Sequence, residues 1–353
     1  MEITDIPVEG YERVARCIDQ ESGLHALIAV HDTTLGPALG GLRFLKYESE
    51  EDALFDVVRL ARGMTRKSAV ADTGLGGGKS VIIGDPETAK SPELFRAMGR
   101  FVDNFGGSYI TAEDMNIAIA DLRHVREATP YVTGLSREEG GSGNPSPYTA
   151  YGCVVGIEAA AKHRYGSADL SGKRILIQGV GAVGGEMARL LKERGADVII
   201  CDIKEDRVAA LCEEFGYRSV PEEDHLDEEC DIYAPCARGA GINDETIPRL
   251  TCEIVAGCAN NMLLEPRHGD ELSQRGILYA PDYVVNAAGI INVSVERHEG
   301  GYDEEVAMEK IHGIADNLEE VFQLAEERGI GTHTAAQLLA ELRIEKAKAQ
   351  RTS

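Results

Sequence analysis

The chain has 353 residues, 43% of them hydrophobic and 27% charged, enough for two domains with substantial apolar cores. Its 36 basic and 60 acidic residues leave a net charge of −24, which argues against nucleic acid and anionic membrane surfaces as partners. No apolar run approaches the roughly 20 residues needed to cross a bilayer, the acidic start Met1-Glu-Ile-Thr-Asp-Ile lacks a signal-peptide layout, and eight dispersed cysteines without a C-x-x-C pair read as reduced thiols of a cytoplasmic protein rather than a metal or disulfide framework.

In the first half, Leu24 to His31 reads as a strand. Glu50 to Met64 reads as a helix, because Ala53, Val57, Leu60 and Ala61 recur near helical spacing. Ser49 is placed to cap it, and the three acids that follow suit the helix dipole. A glycine run, Gly76 to Gly78, precedes Lys79 and a strand over Ser80 to Ile83. Ser91-Pro-Glu opens a helix that ends near Phe105, and Tyr109 to Ala112 is a short strand.

Two lysines stand out here. Three glycines before Lys79 imply backbone open to a ligand, or a turn with no room for a side chain. They do not form a Walker phosphate loop: its first glycine would fall on Thr73, and Val-Ile-Ile after Ser80 reads as strand instead of helix. A lysine in such surroundings loses solvation when a cleft closes, so its pKa falls and it can exchange protons near neutral pH. Lys67, in Gly63-Met-Thr-Arg-Lys, can stay charged and hold a carboxylate. Asp114, in Thr111-Ala-Glu-Asp, follows the short strand and can point into the same cleft.

Residues 134–147 are dominated by Gly, Ser and Pro and predict a linker without regular structure. A helix over Tyr148 to His163 follows. Strands near 174–178, 197–201, 231–233, 253–256 and 277–280, with helices between some of them, predict an α/β fold with a mostly parallel, doubly wound sheet. Helices over 303–328 and 334–349 end the chain. Within this series the first strand leads into Gly179, Gly181 and Gly184 in G-x-G-x-x-G spacing and then a helix. Gly179 allows the tight turn, Gly181 the approach of a pyrophosphate, and Gly184 close helix–strand packing; the helix N-terminus attracts the phosphate charge. Asp202 lies 18 residues after Gly184, where an acid meets the adenosine ribose hydroxyls. A carboxylate there repels a 2′-phosphate, so NAD is the expected cofactor in preference to NADP.

Further runs carry a family resemblance. They are His31-Asp-Thr-Thr-Leu-Gly-Pro-Ala-Leu-Gly-Gly, Gly63-Met-Thr-Arg-Lys, Gly76-Gly-Gly-Lys, Thr111-Ala-Glu-Asp, Gly143-Asn-Pro-Ser-Pro, Ala259-Asn-Asn and Ala280-Pro-Asp-Tyr-Val-Val-Asn-Ala-Ala-Gly. With the nucleotide fingerprint they resemble, in order, the Glu/Leu/Phe/Val amino acid dehydrogenases, and most of all the leucine dehydrogenase branch. The resemblance implies an α/β catalytic and oligomerisation domain over residues 1–143 and a Rossmann NAD-binding domain over 144–329. A last helix over 330–353 packs back on the first domain. It implies reversible oxidative deamination of an L-amino acid to a 2-oxo acid and ammonia, closure of the two lobes over the substrate, and a homo-oligomer, commonly an octamer.

The resemblance also implies roles. Lys79 activates water and Asp114 exchanges protons with the substrate amine. Lys67, Asn261 and backbone at Gly40 and Gly41 hold the substrate carboxylate. Leu39, Ala112, Ile290 and Val293 wall the side-chain pocket. Gly179, Gly181, Ala182, Val183, Gly184, Asp202, Thr149, Asn260, Cys236 and Ala237 hold the cofactor, and no metal is implied. Leu39 stands where glutamate-specific relatives carry a lysine, so a distal substrate carboxylate would be buried unpaired. The expected substrates are therefore leucine, valine and isoleucine, which a methylene separates by only about 1–3 kcal/mol. An aromatic substrate (phenylalanine or tryptophan) is the alternative within the family, and a non-catalytic nucleotide-binding module the alternative outside it. Four residues depart from the family pattern: Arg66, Arg238, Ala288 and Ile290. A methyl at Ala288 is expected to bear on nicotinamide or substrate placement, and the bulk of Ile290 to favour valine.

Overall fold

The structure is a computed structural model that describes residues 1–237, 239–298 and 300–351. Arg238, one of the departures named above, lies outside the described residues. The chain forms two units: Met1–Asn144 with Val293–Asp303 and Ala340–Ser353, and Pro145–Asn292 with Glu304–Leu339. The segment Val293–Asp303 thus belongs to the first unit, although it falls inside the 144–329 range. Only the part of the last helix from Ala340 onward joins it there.

The first unit holds β1 (Glu2–Asp5), β2 (Arg13–Asp19), β3 (Leu24–Asp32), β4 (Ala38–Leu45), α1 (Glu50–Val70), β5 (Gly76–Ile83), α2 (Pro92–Asp103), β6 (Tyr109–Glu113) and α3 (Ile119–Arg126). The sheet order is β1-β2-β3-β5-β4-β6. The first three strands and β5 pair antiparallel, whereas β4 pairs parallel with both β5 and β6. Alternate residues of β3 face opposite layers. Ala26, Ile28 and Val30 pack with Leu94, Phe95, Met98 and Phe101 of α2, and Leu27 and Ala29 pack with Ala53, Val57 and Ala61 of α1. Both faces are covered, which is why the strand reads as a continuous apolar run.

Ser49 caps α1, accepting from the Asp52 N–H at 3.1 Å, and Ser91 caps α2 through the Leu94 N–H at 3.1 Å. α1 runs six residues past the expected end at Met64. Its terminal carbonyls find a donor that local sequence does not reveal: Arg343 donates to Ala69 O and Val70 O at 3.2 and 2.7 Å.

The second unit holds α4 (Ser146–Tyr165), β7 (Arg174–Gln178), α5 (Ala182–Glu193), β8 (Asp197–Cys201), α6 (Glu205–Phe215), β9 (Arg218–Ser219), β10 (Ile232–Pro235), β11 (Ile254–Val255), α7 (Arg267–Gln274), β12 (Leu278–Tyr279), α8 (Asp282–Val285) and α9 (Ala288–Ser294), of which the last residues cross into the first unit. α10 (Glu304–Arg328) and the first part of α11 (Thr332–Arg351) complete it. Its sheet is all parallel in the order β12-β11-β10-β7-β8-β9. This is the Rossmann order, and the strand order reverses between β7 and β10, where such sheets hold their ligands. No described helix is long and apolar enough to cross a membrane.

Candidate active site

Lys79 lies in the middle of β5, 4% exposed. Asp114 follows β6, so β4 runs between the two. Gly41 removes the obstacle: a Cβ there would stand 2.7 Å from Asp114 Cβ. Through that gap Asp114 Oδ2 accepts a hydrogen bond from Lys79 Nζ. Oδ1 accepts from the Met115 N–H at 2.5 Å and from Arg43 Nε at 3.3 Å. Arg43 is itself held by Asp56 at 3.0 Å, and Asp56 also accepts from the Tyr47 hydroxyl at 2.9 Å.

Burial pulls the Lys79 ammonium below its ordinary pKa, and the charge of Asp114 opposes this without winning. Burial pushes the Asp114 carboxyl up, but Lys79, the Met115 N–H and Arg43 outweigh it and hold it below the usual range. The result is an ionised carboxylate beside a lysine primed to release its proton.

The glycines before Lys79 are neither a turn nor open backbone. They lie inside β5, pressed by neighbours. A Cβ on Gly77 would collide with the Thr65 backbone of α1, and one on Gly78 would stand 2.7 Å from the Tyr109 ring. A Cβ on Gly40 would strike the Gly78 carbonyl. Close packing of α1 and Tyr109 on the strand, rather than ligand access, accounts for the run. Lys67 is half-buried in the last turn of α1, two residues beyond Thr65. Gly41 pairs with Ala112, and Leu39 pairs with Ile110 on one side and Gly77 on the other. Val293 is half-buried in the first unit, whereas Ile290 and Asn261 belong to the second.

In the second unit, Gly179 follows β7 with φ +96°, and a Cβ on it would stand 2.6 Å from Ala237 Cβ. Gly184 has no room either: its Cβ would strike the Gly179 carbonyl and reach within 3.2 Å of Cys236 Cβ. Gly181 caps α5, whose first residues are Ala182 and Val183, and a Cβ on it would meet only the tip of the Arg207 side chain, at 3.9 Å. Asp202 follows β8 and accepts from the Val180 N–H at 2.9 Å, which ties the acid to the glycine turn. Asn261 adopts φ +52°, a left-handed conformation that suits Asn. The buried Asp282 accepts its N–H at 2.5 Å. Asn260 Oδ1 accepts from Asn286 Nδ2 at 2.9 Å. Thr149, in the first turn of α4, stands where a Cβ on Gly289 would be 3.1 Å from its hydroxyl.

Among the described residues, Asp244, His268 and Glu271 form a group of metal-binding composition. Arg267 already bonds both acids. His268 Nδ1 accepts from the Glu265 N–H at 3.0 Å, so the proton sits on Nε2, which faces Asp244 at 3.5 Å. A protonated nitrogen is no ligand.

Comparison with known proteins supplies the family. Residues 12–131 match the Glu/Leu/Phe/Val dehydrogenase dimerisation domain, and residues 140–352 match the Glutamate/Leucine/Phenylalanine/Valine dehydrogenase domain. The chain belongs to the Glu/Leu/Phe/Val dehydrogenase family. Leucine dehydrogenase of Geobacillus stearothermophilus is 54% identical over 335 residues, 95% of this chain and 91% of that protein. Valine dehydrogenase of Streptomyces albus is 46% identical, covering 97% of this chain and 94% of its own. The crystal structure of L-tryptophan dehydrogenase from Nostoc punctiforme superposes with a TM-score of 0.88 at 43% identity, covering 96% of this chain and 97% of that one.

Two of the residues expected to depart from the family pattern have clear packing partners. The Ala288 methyl is fully buried and faces Gly152 of α4, where a Cβ would lie only 2.5 Å away. The extra carbon is therefore taken up by helix packing. Arg66 pairs with Glu341 of α11 at 3.5 Å, alongside Arg343 on the end of α1 and Lys348 on Asp32 at 3.1 Å. The second half of α11 is thus tied to the first unit by three cations. Nothing in the structure explains Ile290.

The motif reading missed Arg43, Asp56 and Tyr47, which position Asp114, and Asp282, which holds Asn261. Arg43 left a signal: it is a charge between Leu42 and Phe44 in an otherwise apolar strand, and half-buried charges need partners.

Proposed function

We propose that this dehydrogenase catalyses the reversible, NAD-dependent oxidative deamination of an aliphatic branched-chain L-amino acid: leucine, valine or isoleucine. The observation that carries the reading is the buried Lys79–Asp114 pair in a chain whose other unit carries a Rossmann glycine turn tied to an acid. The turn fits a dinucleotide, since Gly181 leaves open the approach to the N-terminus of α5 and Gly179 and Gly184 admit no side chain. Gly179, Gly181, Ala182, Val183, Gly184, Asp202, Thr149, Asn260, Cys236 and Ala237 would hold it. When bound, NAD⁺ accepts the hydride from the substrate Cα.

The chain's own residues do the remainder. Lys67, aided by Asn261 and the Gly40–Gly41 backbone, holds the substrate carboxylate. Asp114 takes a proton from the substrate ammonium, because hydride leaves Cα only when the amine is neutral. Lys79, desolvated in β5, removes a proton from the water that attacks the resulting imine. The nitrogen leaves as ammonia and the 2-oxo acid remains. Leu39, Ala112, Ile290 and Val293 supply apolar wall and offer no partner to a distal charge.

A homo-oligomer built through the first unit and a cytoplasmic location complete the proposal; the first rests on the dimerisation domain of the family and the second on eight free thiols. The test is NADH formation at alkaline pH with a panel of L-amino acids. Leucine, valine and isoleucine are expected to exceed phenylalanine, tryptophan and glutamate. The aliphatic assignment fails if an aromatic substrate leads. The catalytic reading fails if no amino acid reduces NAD⁺, or if Lys79→Ala turns over like the parent.

A further inference from the structure

The carboxylate that reads the ribose is not alone. Asp202 accepts from the Val180 N–H on one oxygen and from the Lys204 N–H on the other, each at 2.9 Å. By itself such an acid favours free ribose hydroxyls and repels a 2′-phosphate. The third residue of α6 alters that field. Arg207 Nη1 stands 3.6 Å from Asp202 Oδ2. The same nitrogen is the nearest neighbouring atom to the position a Cβ on Gly181 would take, at 3.9 Å. The guanidinium is therefore within about 4 Å of both the acid and the glycine turn. Its side chain is 39% exposed and that of Asp202 9%, so the cation is the more accessible partner.

We propose that Arg207 is a cofactor-specificity residue that admits a 2′-phosphate on the adenosine ribose, so that this chain uses NADP as a second dinucleotide beside NAD. The inference rests on the dinucleotide reading above. Two physical effects support it. At 3.6 Å from Asp202 the cation opposes the repulsion that the carboxylate would exert on an incoming dianion. The planar guanidinium also presents paired donors that match phosphate oxygens. As a half-exposed ion pair Arg207 adds little to stability, so its removal leaves the fold intact.

The experiment is calorimetric titration of the whole enzyme with ADP-ribose and with its 2′-phosphorylated form, ligands that differ only in that group. Wild type is expected to bind both. Arg207→Gln is expected to weaken the 2′-phosphorylated ligand about tenfold while ADP-ribose stays within about twofold, and Arg207→Lys to keep part of the difference. In turnover, the NADP-to-NAD ratio of kcat/KM falls in Arg207→Gln. Equal losses for both ligands would place the arginine on the shared pyrophosphate and overturn the proposal. So would unchanged affinity for both, or a wild type that binds ADP-ribose and rejects the phosphorylated form. A wild type that binds neither ligand overturns the dinucleotide reading itself, and this inference with it.

Discussion

Gly41 of β4 lies against Asp114 at the end of β6: the missing side chain of the first is the space through which the second reaches Lys79. The ion pair spans three strands, and only the central strand decides whether it forms. A Cβ at position 41 would also meet the Glu113 carbonyl at 2.7 Å, so the end of β6 as well as the carboxylate must shift.

Gly41→Ala is accordingly expected to lower kcat by about 10²-fold, the usual loss when a catalytic group is displaced by about 1 Å. The sheet should survive, since β4 keeps its pairing to β5 and β6. Circular dichroism and thermal unfolding check the fold, and steady-state kinetics with leucine check the rate. Parent-like kcat would mean that Asp114 does not act from this position.

The pH profile reports the same pair. Lys79 must be neutral to take a proton from water, so deamination is expected to rise with pH through an inflection below the ordinary lysine value. Asp114, with a smaller contribution from Asp56, raises the Lys79 pKa against the effect of burial, through its charge and its hydrogen bond. Asp114→Asn removes the charge and leaves only a neutral acceptor, and Arg43, which lowers the pKa further, remains. The inflection in kcat should therefore move to lower pH, while the plateau falls about 10²–10⁴-fold for want of a proton acceptor at the amine. An inflection that stays in place would show that the titrating group is another residue.

The fold was legible where periodicity is local. Strands β3 and β6, helices α1 and α2 and the parallel strands β7, β8, β10, β11 and β12 lie where apolar spacing puts them, and Ser49 and Ser91 cap the helices they precede. What could not be read depends on distant partners. α1 extends to Val70 because Arg343, more than 270 residues later, donates to its last carbonyls. β1 and β9 escaped because edge strands are short and carry charges such as Glu2 and Arg218, and β2, paired on both sides, escaped because Arg13 and Arg16 interrupt its apolar residues. The glycines before Lys79 were visible as a motif, yet their cause, the press of Thr65 and Tyr109, is a tertiary contact. Lys79 and Asp114 were singled out from residue type and surroundings. The Arg43–Asp56–Tyr47 support behind them required the structure.

Leu39→Lys tests the aliphatic pocket and the orientation of Leu39 together. Leu39 is 2% exposed in β4. An ammonium forced into closed core costs several kcal/mol and would unfold or strongly destabilise the protein. If the position faces substrate, a longer side chain can carry its charge into the pocket, the fold holds, and leucine kcat/KM falls at least about tenfold. The expected outcome is the second, read from melting temperature beside kinetics. A stable variant with unchanged leucine kinetics would remove Leu39 from the pocket.

Ala288 is expected to act through helix packing and not through the chemistry. Ala288 of α9 fills the space over Gly152 of α4, so the two positions together accommodate one methyl. Gly152→Ala would set two carbons 2.5 Å apart and bring the new one within 2.9 Å of Ile314 Cδ1 of α10. Overpacking of this kind costs about 1–3 kcal/mol, against a helix-propensity gain of about 1 kcal/mol for replacing glycine. Ala288→Gly leaves a methyl-sized void and costs about 1 kcal/mol. In the double variant the methyl moves from one helix to the other and the clash with Ala288 is gone, so its loss of stability should be smaller than the sum of the two single losses, a coupling measurable by denaturant unfolding of the four proteins. The kcat of Ala288→Gly should stay near the parent value. A marked change in kcat without coupling in stability would instead return position 288 to the substrate or nicotinamide.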